Sequence, residues 1–123
     1  MRDPAGIFEA VRTRFHAWLK SGPAAFLSLA PDLGLVPVPD WPQLPDGWNF
    51  GEAAGVAVDG GQNVYVFHRG PHPLIQFSRE GRFLRSFLDG LIGSAHTVRV
   101  DAAGFIWVVD VGSHTVLKAH HSG

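Results

Sequence analysis

The sequence predicts an all-β protein built from a repeated group of short strands and preceded by one α-helix. Three observations carry that expectation. After Phe50, β-branched and aromatic runs alternate with turn residues: "GVAV", "NVYVF", "LIQF", "RFLRSF", "TVRV", "FIWVV" and "TVLKA". The chain matches itself without a gap at an offset of 42 residues, Val56 falling on Val98. Helical periodicity is confined to the first 20 residues.

The N-terminal helix is expected to start at Asp3, a capping residue, with Pro4 in the first helical position. Ile7, Phe8, Val11, Phe15, Trp18 and Leu19 then recur at helical spacing, and Ser21-Gly22-Pro23 stops the run. Residues 1–40 are read as this helix and a Pro-rich connector. The stretch "PVPDWPQLPDGW" suits neither a helix interior nor a central strand, so it is extended, with Trp41 and Trp48 packing on a neighbour. Residues 41–123 carry the β structure. Strands are expected near 54–58, 63–67, 74–78 and 82–87, and the series restarts near His96.

In the self-match Val58 falls on Val100, Asp59 on Asp101, Val66 on Val108, Gly70 on Gly112 and His72 on His114. A period near 40 with about four strands per unit is the signature of a β-propeller blade. The sequence holds one whole blade, about 50–92, and most of a second, 93–123, whose fourth strand is missing. Two blades leave apolar faces and free edges, and fewer than about three such units rarely stand alone. The chain is therefore read as part of a larger propeller, which closes with roughly four to eight blades. A ring of copies is the other way to complete it. Three copies would make six blades with three copies of His96 about one axis, if Asp40–Phe50 supplied the missing strand.

Composition bounds the function. The 123 residues make one domain, and 46% hydrophobic content supports a core. A net charge of −1 offers no basic field, so nucleic acid is not an expected partner. No apolar run approaches the roughly 20 residues that span a bilayer, and "AAFLSLA" at 24–30 is too short and oddly placed for a leader, so membrane association is not expected. The compartment is left open. With 0 cysteines and 7 histidines, any transition-metal site must use imidazole and carboxylate.

The segments "GVAVDGGQNVYVFHRGPHPLIQF", "GRFLRSF" and "HTVRVDAAGFIWVVDVGSHTVLK" resemble the NHL-repeat β-propellers, and more narrowly the peptidyl-α-hydroxyglycine α-amidating lyase group. The resemblance spans about residues 46–123. It implies a six-bladed parent that cleaves the N–Cα bond of a C-terminal α-hydroxyglycine, giving a peptide amide and glyoxylate. The expected substrate is peptide-like or a small hydroxylated molecule. It also implies that His96 is one of three zinc ligands, that Arg69 lines the catalytic centre, and that the carbonyls of Val56 and Val98 hold a structural calcium ion. Pro71 and Thr97 depart from that group's pattern, which often has an acidic residue and a glycine there. The remaining zinc ligands and the catalytic tyrosine would lie in later blades, so the isolated monomer is expected to be inactive. A non-catalytic propeller serving as a binding platform is the alternative.

The repeat sorts scaffold from function independently of that resemblance. Asp59 and Asp101 recur and are read as turn residues bonding local backbone. His72 and His114 recur and are read as blade-packing residues. Gly70 and Gly112 recur and are read as positions of special backbone angle. Arg69 falls on Val111 and His96 on Ala54, so both need another explanation. His68 falls on Asp110 and is undecided. Self-association through exposed blade edges is expected as a further property.

Overall fold

The computed structural model describes residues 34–122. The expected N-terminal helix lies outside them. The unit Asp40–Gly123 carries the strands. They are β1 (Ala53–Val58), β2 (Val64–His68), β3 (Leu74–Phe77), β4 (Phe83–Phe87), β5 (Ala95–Val100), β6 (Ile106–Asp110) and β7 (Thr115–Ala119). The described residues are all-β: a four-stranded sheet in the order β1-β2-β3-β4 and a three-stranded sheet in the order β5-β6-β7. Every pair is antiparallel.

The 42-residue offset is also a structural offset. β1 and β5 superpose in numbering, as do β2 and β6. Both first strands carry a bulge at the same place: between Ala53 and Gly55 in one sheet, and between Ala95 and Thr97 in the other. A bulge leaves one residue without an opposite partner and re-aims its side chain. Those residues are Ala54 and His96.

Strand alternation divides each sheet into two faces. On the first sheet Tyr65, Phe67, Leu74 and Phe87 point one way and meet Ala95, Val98, Ile106 and Val108 of the second. We call the first set the back face of its sheet and the second set the front face. Val66 and Ile75, on the first sheet's front, correspond in the repeat to Val108 and Leu117. The two sheets therefore stack in the same sense, back against front, with β5 packed on β1 and β2.

The front of the first sheet has its own cover. Val66, Ile75 and Phe77 lie beneath Trp41, Leu44, Trp48 and Phe50 of the connector. The connector does not supply a strand to the second sheet. Among the described residues its one bridge is parallel, Gln43 with Arg82, at the first sheet's edge. Trp41 is held by its indole N–H, which donates to the Arg79 carbonyl at 3.0 Å. Gly81, at φ +87°, supplies both the left-handed turn and the space: a Cβ there would meet the indole ring at 2.6–2.9 Å.

Candidate functional site

Arg69 and His96, each without a counterpart in the repeat, lie at the same end of the sheet pair. Arg69 follows β2. Its Nε donates to the Ala95 carbonyl at 3.1 Å, which ties the first sheet to the residue before His96. Its Nη1 donates to Glu52 Oε2 at 2.7 Å, and its backbone N–H donates to the Glu52 carbonyl at 3.0 Å. The side chain stays 44% exposed, so the guanidinium keeps donors facing solvent. An exposed pair of this kind contributes roughly 0–1 kcal/mol. His96 is exposed and sits at the β5 bulge. A cavity of about 150 Å³ opens beside Arg69, lined by His68, Gly70, Pro73, Gly93, Ser94 and Ala95 among others; His96 does not line it.

His68 is fully buried and belongs to the frame of this corner. Its Nδ1 accepts the Gly51 N–H at 2.9 Å, so the ring is neutral with its proton on Nε2. Phe50 packs edge-on against it. Burial, the largest influence, pushes the imidazole below the ordinary histidine pKa, and the His72 backbone only partly opposes this. Among the described residues Nε2 finds no hydrogen-bond partner.

Asp110 does the same work in the second sheet with different chemistry. It is fully buried. It accepts N–H bonds from Gly93 at 2.9 Å, Ser94 at 2.6 Å and Gly112 at 2.9 Å, and an O–H bond from Ser113 at 2.7 Å. The Ser113 hydroxyl and these N–H groups hold its carboxyl far below the usual range. Gly51 and Gly93 are repeat equivalents, so His68 and Asp110 share one role: accepting the glycine N–H ahead of each first strand. Sequence reading missed both Asp110 and Glu52. The signal for Asp110 was its place opposite His68 in the repeat.

Gly70 and Gly112 are not in the left-handed region. They recur because there is no room for a side chain. A Cβ on Gly70 would meet the His68 ring at 2.5 and 2.7 Å, and one on Gly112 would meet the Gly93 and Ser94 backbone at 2.7 Å. Nor do the two recurrent histidines share a role. His72 stacks on Trp48 with centroids 3.4 Å apart and hydrogen-bonds Asp89. His114 is exposed with φ 57° and belongs to neither hydrophobic cluster.

The opposite end of the sheets carries the paired turns. Asp59 Oδ1 accepts the N–H groups of Gly61 and Asn63, and Oδ2 accepts the Tyr65 hydroxyl at 3.1 Å. Asp101 repeats this with Ala103, Phe105 and the Trp107 indole. A cleft of about 460 Å³ lies between the turns, lined by Asp59, Tyr65, Gln76, Arg85, Asp101 and His121 among others.

Val56 and Val98 occupy edge strands that lie against each other. Gly55 approaches so closely that a Cβ would meet the Val98 nitrogen at 3.2 Å. Among the described residues no group of three His, Cys, Asp or Glu side chains is gathered as a metal site. Nor, among them, is any helix long and apolar enough to cross a membrane. No family model and no curated protein matches the chain.

Proposed function

We propose that the two sheets are consecutive blades of an NHL-type propeller, and that the Arg69–His96 corner is their contribution to a lyase-like site. The observation behind this reading is the Arg69–Ala95 hydrogen bond. It joins Arg69, which the repeat leaves unexplained, to the residue before His96, across two different sheets, at one end of the stack. The shared sense of stacking and the matched bulges also support consecutive blades.

Zinc does not fit a site made by this chain alone, because His96 has no companion ligands gathered around it among the described residues. What the chain itself offers is a half-exposed guanidinium fixed in place by Glu52 and the Ala95 carbonyl. Its remaining N–H groups suit an anionic oxygen, such as a carboxylate or a developing oxyanion, through charge-assisted hydrogen bonds. A single carboxylate held this way fits the peptide-like, hydroxylated substrate class. Structural calcium, if bound, would use the Val56 and Val98 carbonyls on the facing edge strands. The monomer is inactive in this reading.

Zinc content and glyoxylate release from an N-acyl-α-hydroxyglycine test it together. The expected result is no glyoxylate from the monomer, only weak zinc binding that is lost on His96→Ala, and carboxylate-ligand binding that falls about tenfold on Arg69→Ala. Glyoxylate release by the zinc-loaded monomer would overturn the inactivity. Metal content unchanged by His96→Ala, with peptide binding lost on Arg69→Ala, would favour the non-catalytic binding platform. The commitment of Arg69 Nε and Nη1 to protein acceptors is the observation that favours that second reading.

A further inference from the structure

The same-sense stacking leaves two surfaces that are repeat copies of the surfaces already joined inside the molecule. On the first sheet's back face, Tyr65 is 1% exposed and Leu74 is 0% exposed, because the second sheet covers them. Their equivalents on the second sheet's back face are Trp107, at 39%, and Val116, at 64%. At the front of the second sheet, Val98 is 1% exposed. Its equivalent on the first sheet, Val56, is 57% exposed, and the next alternating residue, Val58, is 58% exposed. The connector covers the front of the first sheet over β2 and β3 but leaves this β1 strip open.

The chemistry of the two back faces also corresponds. Tyr65 donates its hydroxyl to Asp59, and Trp107 donates its indole N–H to Asp101 at 2.9 Å. Lys118 lies over the Trp107 ring at 4.9 Å, with its stem along the strand that carries Val116. Trp107 and Val116 make the apolar part of that face, bordered by the positive charges of Arg99 and Lys118, both of which lie opposite Trp107 in the strand pairing. Such faces on soluble proteins mark contact surfaces.

We propose that the back face of the second sheet, centred on Trp107 and Val116, binds the Val56–Val58 strip of a second copy of this chain, head to tail. The internal interface supplies the argument for that occupant. A surface of this kind has one partner in the molecule, the front of a sheet from the same repeat, and each copy carries one more such front. The contact is heterologous, so the surfaces on the two copies differ, and repetition closes a ring or grows a filament. This inference does not depend on lyase chemistry.

A complementation experiment on the full chain tests it. Val116→Asp spoils only the back, and Val56→Asp spoils only the front. Both residues are more than half exposed, so near-ultraviolet circular dichroism is expected to match wild type. In sedimentation velocity the wild-type chain should gain mass with concentration, reaching a trimer or beyond. Each variant alone should remain a monomer. An equimolar mixture should form a dimer and stop, because one intact surface of each kind remains. Val116→Asn with Val56→Asn repeats the mixture without added charge and should give the same dimer. A wild-type chain that stays monomeric overturns the proposal, as does a mixture that yields no dimer. Association that survives both substitutions also overturns it, by placing the contact elsewhere.

Discussion

Replacing His68 separates two explanations of a buried histidine. In one, the imidazole fills space. In the other, its Nδ1 is needed as an acceptor for the Gly51 N–H. His68→Leu keeps most of the volume and removes the acceptor. The stranded N–H then costs about 1–3 kcal/mol. Loss of the edge-on contact with Phe50 adds about 0.5–1 kcal/mol, partly offset by the apolar leucine. The expected loss is about 2 kcal/mol. His68→Asp restores an acceptor of the kind the second sheet already uses at Asp110. The counterparts of that residue's backbone donors are Gly51, Glu52 and Gly70, so the variant should stay within about 1 kcal/mol of wild type. Urea unfolding reads the difference. At a slope of about 1 kcal/mol per molar, the leucine variant's midpoint falls by about 2 M. The pH dependence gives a second readout. A depressed folded-state pKa means that the unfolded chain binds the proton first. Wild-type stability therefore falls as pH drops below about 6.5, and both variants should lose that slope. A leucine variant as stable as wild type, or an aspartate variant less stable than the leucine one, would refute the acceptor role.

Tyr65→Phe should cost about 1–3 kcal/mol, because Asp59 loses a donor and the buried Gln76 amide loses its acceptor. Burial first, and then the Asp59 hydrogen bond, pushes the Tyr65 hydroxyl up to about 12. The unfolded chain releases that proton earlier, so wild-type stability should fall as pH rises from about 10 toward 12. The phenylalanine variant should not share that part of the decline. Gly112→Ala should destabilise by about 1–3 kcal/mol, because its Cβ meets rigid backbone of Gly93 and Ser94. Gly60→Ala, in open space, should change stability by less than about 1 kcal/mol. Thermal melts of the two alanine variants check the contrast.

The strands were legible because period-2 patterning and β-branched residues act locally. "NVYVF" read as 63–67 is β2 at Val64–His68, and "LIQF" is β3. The connector's packing was legible too, since proline excludes regular structure and tryptophan needs a surface to cover. The roles of recurrent residues were harder to read. A repeated glycine announces that a side chain is unwelcome, but not whether backbone angle or crowding forbids it; at 70 and 112 crowding decides. The opposite error occurred at 68 and 110. The residue types differ, yet the Gly51 and Gly93 N–H groups require only an acceptor, which imidazole and carboxylate both provide. Comparing letters misses an equivalence of lone pairs. The nearness of Arg69 to the Ala95 carbonyl arises from sheet stacking, and no local pattern encodes that distance.

The Trp41–Arg79 bond spans 38 residues, and its order in the chain has a consequence for synthesis. Trp41, Leu44 and Trp48 leave the ribosome before any strand they cover. At about 5–20 residues per second, the Gly81 turn that receives Trp41 emerges about 2–8 s later. For that interval an apolar, proline-stiffened segment waits without the strands it covers. Proline limits its capacity to pair as a strand with other nascent chains. The residues that keep the connector out of the sheets of the finished protein thereby also guard it while it waits.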